Sequence, residues 1–221
     1  MKTIAVITAL NEQDTIGPLT TALFAYCEDV IVINDGSTDN TGVLASQAGA
    51  HVITHAERQG IAYSLMQAWQ IAIDEGADRI VQIDAGRSHD PHDLWQMLRY
   101  QPDADVIIGS RFVSGGEYIG GWRKHASKFY ASACNWAVAK MVTHDWTSGY
   151  RIYSRRAIIA LLKPPSYWTR MHAWQAEIIH RAHAQGLTIA ECPITYRAGV
   201  SHVHGSLIDD ALLVWLKVMF L

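Results

Sequence analysis

Arg79-Ile80-Val81-Gln82-Ile83-Asp84-Ala85-Gly86-Arg87-Ser88-His89-Asp90-Pro91 is the stretch on which the fold class turns. A run of mostly β-branched apolar residues stops at a carboxylate, and a glycine and a proline follow within a few residues. Runs apolar at successive positions, rather than alternate ones, are strands buried on both faces, as in parallel sheets. In open α/β sheets ligands gather just beyond the carboxyl ends of such strands. Asp84 is therefore the first candidate to touch a substrate or a metal ion.

Upstream, Ile4 to Thr8 and Val30 to Ile33 are further buried strands, with a helix between them carrying Leu19, Leu23 and Phe24 at helical spacing. A helix over Thr41 to Ala48, a short strand His51 to Thr54 and a helix over Gly60 to Glu75 come next. In the last of these, Ile61, Leu65, Ala68, Ala72 and Ile73 form one apolar face. Pro91 sits where another helix begins, and Asp105 to Gly109 is the next strand. This β-α alternation predicts a doubly wound parallel sheet. After Arg111 the pattern loosens around Ser114-Gly115-Gly116 and Gly120-Gly121. A helix over Arg123 to Met141, a strand over Thr147 to Tyr153, a helix over Met171 to Gln185 and a strand over Leu187 to Ile194 are expected. The expected organisation is one domain over 1–221, with a donor half at 1–110 and an acceptor half at 111–221.

Composition narrows the class. Of 221 residues 49% are apolar and 18% charged, enough to build a core and too apolar for disorder. A net charge of −3, with both signs mixed along the chain, argues against a duplex nucleic-acid partner. Three cysteines, Cys27, Cys134 and Cys192, lie far apart and form no C-x-x-C, so neither a disulfide framework nor a cysteine zinc site is expected. Eleven histidines include i, i+3 pairs at His89/His92 and His180/His183, but no H-E-x-x-H, so zinc is not expected. The apolar run at the N-terminus is too short for a signal peptide, and none approaches the roughly 20 residues of a spanning helix. A cytoplasmic protein is expected.

Two further strand ends carry polar groups. Asn11-Glu12 follows the first strand, and Asn34-Asp35-Gly36-Ser37 the second. Taken alone, Asp35 is a helix N-cap; taken with Glu12 and Asp84, it makes three polar strand tips at one sheet edge. A carboxylate there can accept from ribose hydroxyls or a base N–H.

In these stretches the chain resembles the family-two glycosyltransferases of GT-A fold. Val6-Ile7-Thr8-Ala9-Leu10-Asn11-Glu12 is similar to that family's opening, and Asn34-Asp35-Gly36-Ser37-Thr38-Asp39-Asn40-Thr41 to its D-D-G-S-x-D-x-T. Three further matches point to the dolichol-phosphate or polyprenyl-phosphate mannosyl- and glucosyltransferase branch. They are Gly109-Ser110-Arg111-Phe112-Val113-Ser114-Gly115-Gly116, Asp145-Trp146-Thr147-Ser148-Gly149-Tyr150-Arg151-Ile152-Tyr153 and Glu191-Cys192-Pro193-Ile194. The resemblance implies an α/β, Rossmann-like, mostly parallel sheet flanked by helices, and inverting transfer of mannose or glucose from a nucleotide-diphosphate sugar to a polyprenyl phosphate. It also implies a nucleotide-sugar site at Thr8, Leu10, Asn11, Glu12, Ile33, Asp35, Asp84, Ala85, Gly86, Arg197 and His202. Asp84 and Arg111 are the implied catalytic residues.

The chain departs from that pattern where the family binds its cation. The family's D-x-D is Asp84-Ala85-Gly86 here, and Ser88 stands where the mannosyltransferases tend to carry a glutamine. One hard ligand of three remains. Asp84 holds Mg²⁺ or Mn²⁺ with waters and diphosphate oxygens, with help from His89 or Asp90 (His89 also matches a histidine of the family's D-x-D-x-Q-H), or the transfer is metal-independent and cationic side chains carry the leaving charge. In the C-terminal loop the branch has R-x-x-G-x-S-K. Tyr196 takes the arginine's place, with Arg197 one residue off, and His202 takes the lysine's.

On the acceptor side, Arg111, Arg123 and Ser127 match positions implied to grip a lipid phosphate. Arg123 and Ser127, at i and i+4, share a helix face, and arginine's fork of donors suits phosphate. The alternative is a basic helix surface. Glu177 is either an ion-pair partner of Arg181 at i+4 or, for a hydroxyl acceptor on a saccharide, protein or modified nucleobase, the general base. A non-catalytic nucleotide-sugar-binding protein is a further alternative, given the broken D-x-D. The apolar stretch 207–221 serves core packing, a homodimer contact, or a peripheral contact with the inner face of the membrane.

Overall fold

The computed structural model describes residues 1–120, 123–137, 140, 142–162 and 172–198. In chain order, β1 (Thr3–Ala9), α1 (Ile16–Leu23), β2 (Asp29–Asn34), α2 (Thr41–Gln47), β3 (His51–Thr54) and α3 (Ile61–Asp74) alternate as the pattern predicts. There follow β4 (Arg79–Gln82), α4 (Asp93–Met97), β5 (Val106–Ser110), β6 (Glu117–Ile119) and α5 (Arg123–Ala137). The described chain ends with β7 (Arg151–Ser154), α6 (Arg155–Leu161), α7 (His172–Ala184), β8 (Ile189–Pro193) and β9 (Thr195–Arg197).

Seven strands form the central sheet in the order β3-β2-β1-β4-β7-β5-β8. From β1 the chain winds outward through β2 and β3, then returns to place β4 on the other side of β1. The crevice beyond β1 and β4 is thus the topological switch point, where open α/β sheets bind ligands.

Side chains alternate faces along each strand, and both faces are apolar. Ile4 and Val6 of β1 point into one core with Leu65 and Trp69 of α3, Ile158 of α6 and Trp174 of α7. Ala5 and Ile7 point into the other with Ile16 and Leu23 of α1 and Leu94 of α4. The result is three layers, helix on sheet on helix. Each fully buried Ile, Leu or Val stabilises the fold by about 1.5–3 kcal/mol relative to exposure. Trp69 lies 4.9 Å from Tyr153 and 5.8 Å from Trp174 between ring centroids, so these tryptophans are core rather than sugar-binding.

The sheet is mostly parallel, with one departure from the doubly wound expectation. β7 lies between β4 and β5 and runs antiparallel to both. The strand expected from Thr147 begins only at Arg151 because the Thr147 and Ser148 amides donate to Asp145 Oδ1, at 3.3 and 3.1 Å, and hold that stretch as a turn. β4 likewise stops at Gln82, two residues short of Asp84. The short helix α6 and the two-stranded parallel sheet of β6 and β9 had no counterpart in the sequence reading. Among the described residues no helix is long and apolar enough to cross a membrane.

Candidate active site

The tips of β1 and β2 are laced into one polar shelf. Asn11 adopts φ 55°, a left-handed conformation that asparagine tolerates better than most residues. Its backbone N–H donates to Ser37 Oγ at 2.9 Å, and its Oδ1 accepts from the Thr38 amide at 2.8 Å. The Glu12 amide donates to Thr41 Oγ1 at 2.8 Å, while Glu12 Oε2 accepts from Thr15 Oγ1 at 2.9 Å.

Asp35 does not cap α2, whose first-turn Thr41 amide donates to Asp39 instead. Its carboxylate reaches across to the segment before α3. There it accepts from the Gln59 and Gly60 amides, at 2.8 and 2.9 Å, and lies 2.8 Å from His55 Nδ1. Burial alone would raise its pKa. The hydrogen bonds from His55, Gln59, Gly60 and Ser64 outweigh that and hold it below the usual carboxylate value. Gly36 permits this close packing, since a Cβ there would lie 2.7 Å from the Arg58 amide nitrogen.

Beyond β4 the Asp84 side chain is 46% exposed, and His89 Nε2 lies 3.3 Å from its Oδ2. That approach lacks the angle of a hydrogen bond, and neither ring nitrogen of His89 bonds to a described residue although both are buried. The imidazole is packed edge-on between Tyr150 and Tyr196, at 5.3 and 5.1 Å between centroids. Ser88 Oγ is a further buried polar atom with no hydrogen-bond partner among the described residues. Gly149 closes the other side of Asp84: a Cβ there would lie 2.5 and 2.6 Å from the two carboxylate oxygens. Among the described residues no group of three or more His, Cys, Asp or Glu gathers to hold a cation. A half-exposed carboxylate beside a buried imidazole whose nitrogens have no hydrogen-bond partner among the described residues nevertheless suits a divalent ion that takes its remaining ligands from diphosphate and water.

Arg111, just past β5, is buried against Asp145. Nε donates to Oδ2 at 2.6 Å, Nη2 to Oδ1 and to Thr147 Oγ1, both at 2.5 Å, and the Arg111 amide to Oδ2 at 3.0 Å. Burial opposes both charges. Their attraction and hydrogen bonds prevail, holding Asp145 below the usual carboxylate range and Arg111 above the usual guanidinium value. The guanidinium carbon stands 4.9 Å from the Tyr196 ring centroid, 5.4 Å from Tyr118 and 5.2 Å from Phe112. Pairing of β6 with β9 sets Tyr118 opposite Tyr196. Tyr196 thus touches His89 and Arg111 together, joining the Asp84 region to the acceptor side in one continuous surface. Lys128 Nζ of α5 also stands 5.4 Å from the Phe112 ring centroid.

The other expected positions are distributed as follows. Thr8 and Leu10 are half-buried at the end of β1; Ile33 and Ala85 are core residues, so only their backbones can meet a ligand. Gly86 is half-buried, and Arg197 is exposed on β9 with its amide donating to Ser88 O at 2.9 Å. Ser127 is half-buried on α5, whereas the Arg123 side chain, His202 and the stretch 207–221 lie outside the described residues. Glu177, in the second turn of α7, has Oε1 3.8 Å from Arg181 Nη1, as the i, i+4 spacing anticipates. Gly149, Tyr118 and Asp145 belong to the site without carrying a site signal in the sequence. Gly149 and Asp145 sat in a recognised motif, but pairings across 65 and 34 residues leave no local signal.

Comparison with known proteins agrees with this geometry. The family model for glycosyl transferase family 2 matches residues 4–162. The chain is 28% identical to polyprenol monophosphomannose synthase of Mycolicibacterium smegmatis, over 96% of this chain and 84% of that protein. It is also 28% identical to undecaprenyl-phosphate mannosyltransferase of Micrococcus luteus, over 96% of this chain and 92% of that one. Among solved structures, glucosyl-3-phosphoglycerate synthase of Mycobacterium tuberculosis, in complex with Mn²⁺, UDP-glucose and phosphoglyceric acid, superposes with TM-score 0.72 at 19% identity, over 99% of this chain and 80% of that one. The family match, carried on a sheet whose switch point gathers Asn11, Glu12, Asp35 and Asp84, places this chain in glycosyl transferase family 2, as a glycosyltransferase of GT-A fold.

Proposed function

We propose that this glycosyltransferase moves a hexose, mannose or glucose, from a nucleotide-diphosphate sugar to a polyprenyl-phosphate-type acceptor. The observation that carries the acceptor assignment is the surface around Phe112. Two cations, Arg111 and Lys128, stand over that ring, at 5.2 and 5.4 Å from its centroid. The helix that supplies Lys128 also turns Phe129 and Trp136 to solvent, 78% and 68% exposed and seven residues apart on one face. A phosphate suits the cations, and an isoprenoid chain suits the aromatic face beside them. The lipid-phosphate relatives at 28% identity support the same reading.

In this reading the Asn11–Glu12–Asp35 shelf holds the nucleotide, with the backbones of Thr8, Leu10, Ile33, Ala85 and Gly86 completing the walls. Asp84 holds Mg²⁺ or Mn²⁺, which when bound neutralises charge on the departing diphosphate. Arg197 and His202 supply further positive charge to it. Arg111, whose Nη1 donates to no described residue, holds the acceptor phosphate together with Lys128, Arg123 and Ser127. A phosphate oxygen attacks the anomeric carbon from the face opposite the leaving group. The new C–O bond forms as the old one breaks, its electron pair leaves on the nucleoside diphosphate, and configuration inverts. A phosphate is already ionised near pH 7, so no proton need be removed and Glu177 keeps its place beside Arg181.

The test incubates the full-length protein with radiolabelled GDP-mannose or UDP-glucose, Mn²⁺, and either undecaprenyl phosphate, phosphoglyceric acid or free saccharides. Label extracted into organic solvent with the lipid acceptor is expected. Label found only in water-soluble product overturns the assignment, and loss of that product in Glu177→Gln would identify a hydroxyl acceptor instead.

A further inference from the structure

We propose that His89 supplies the second protein ligand to the cation held by Asp84, replacing the missing second carboxylate with an imidazole nitrogen. The inference rests on the donor side of the function proposed above and is independent of the acceptor.

Three observations converge. His89 Nε2 and Asp84 Oδ2 are 3.3 Å apart without the geometry of a hydrogen bond. Bonds of about 2.1 Å from one metal ion to two neighbouring ligands put those ligands about 3.0 Å apart in octahedral and about 3.4 Å apart in tetrahedral coordination. The observed separation falls between these. Second, the His89 side chain is 1% exposed and both its nitrogens lack a hydrogen-bond partner among the described residues. Buried polar atoms are seldom left so without a reason, an absent ion being one. Third, the ring cannot swing away, since Tyr150 and Tyr196 pack against it and the His89 backbone bridges to Tyr196.

The exchange has a chemical consequence. One carboxylate fewer removes a negative charge, and imidazole favours transition metals where carboxylates suit Mg²⁺. The site is therefore selective for Mn²⁺ or Co²⁺ over Mg²⁺.

Mn²⁺ alone, added below stoichiometry to the full-length protein, tests this by electron spin echo envelope modulation, with no donor, acceptor or turnover required. Modulation from a directly bound imidazole nitrogen is expected in the parent protein. It is expected to vanish in His89→Gln, with Mn²⁺ affinity lower by roughly tenfold or more. His89→Asp is expected to restore Mg²⁺ binding relative to Mn²⁺. Bound Mn²⁺ without nitrogen modulation in the parent protein overturns the proposal, even should the variants not fold. Modulation persisting in a folded His89→Gln protein also overturns it, by pointing to another histidine. If the nitrogen signal appears while no lipid product forms, the acceptor assignment fails and this inference stands.

Discussion

Gly149→Ala isolates the contact between the turn before β7 and the carboxylate beyond β4. The added Cβ would sit 2.5 and 2.6 Å from the Asp84 oxygens and 2.8 Å from its Cγ, where ordinary contact begins near 3.4 Å. The carboxylate must retreat by roughly 0.9 Å or change rotamer, and either movement disturbs its position beside His89. Gly149 lies outside the left-handed region, so its backbone accepts alanine and the strain falls on Asp84. Misplacing a reacting group by about 1 Å can reduce turnover about 100-fold, which is about 2.7 kcal/mol of barrier. Stability should move far less. Restricting the unfolded chain stabilises by about 0.4–1 kcal/mol, and an off-rotamer Asp84 costs about 0.5–1.5 kcal/mol. The net shift in Tm is therefore a few degrees at most. Measured as kcat/KM for sugar transfer at saturating Mn²⁺, beside a thermal melt, the variant is expected to be folded and about 100-fold slower. A folded variant within threefold of the parent would refute the idea that this glycine exists to seat the carboxylate.

Asp145→Asn removes the charge partner of a buried Arg111 and is expected to cost about 3–5 kcal/mol in urea unfolding. Because Asp145, Asp35 and Asp105 all ionise more readily in the folded chain, their stabilisation is complete above the unfolded carboxylate pKa of about 3.9. It is lost as pH falls through their lower folded values, so chemical denaturation series should lose stability progressively below about pH 4. Burial raises the thiol of Cys27 to about 12 and those of Cys134 and Cys192 to about 11. Iodoacetamide at pH 8 is therefore expected to label these cysteines only at the rate of unfolding, as mass spectrometry would record. Replacing Phe129 and Trp136 together with glutamate is expected to lower binding to anionic lipid vesicles and transfer to undecaprenyl phosphate at least tenfold. Donor binding, followed by calorimetry, should be unchanged.

Much of this was legible in the chain itself. Thr3–Ala9 and Asp29–Asn34 announce themselves because strands buried on both faces have no polar side to confuse the pattern. The helix over Ile61–Asp74 was placed to within a residue by its apolar stripe. Strand ends carrying Asn11, Glu12, Asp35 and Asp84 had to share an edge once the strands were parallel. The partnerships at that edge were not legible. Nothing near Asp35 indicates that it ties down Gln59 and Gly60, and nothing near Arg111 names Asp145, because tertiary hydrogen bonds leave no periodicity. The short strands Glu117–Ile119 and Thr195–Arg197 carry no signal for a related reason: three residues hold too little pattern, and pairing alone makes them strands.

The reversed strand β7 has a consequence for how the molecule can be divided. β5 does not touch β4; both hydrogen-bond to β7, which arrives from the C-terminal half of the chain. A fragment cut after residue 110 would carry two strands with a strand-wide slot between them and no internal means of closing it. Donor and acceptor functions therefore do not map onto separable pieces of polypeptide. The later half is threaded through the earlier one, and swapping acceptor modules between relatives would have to bring this inserted strand along.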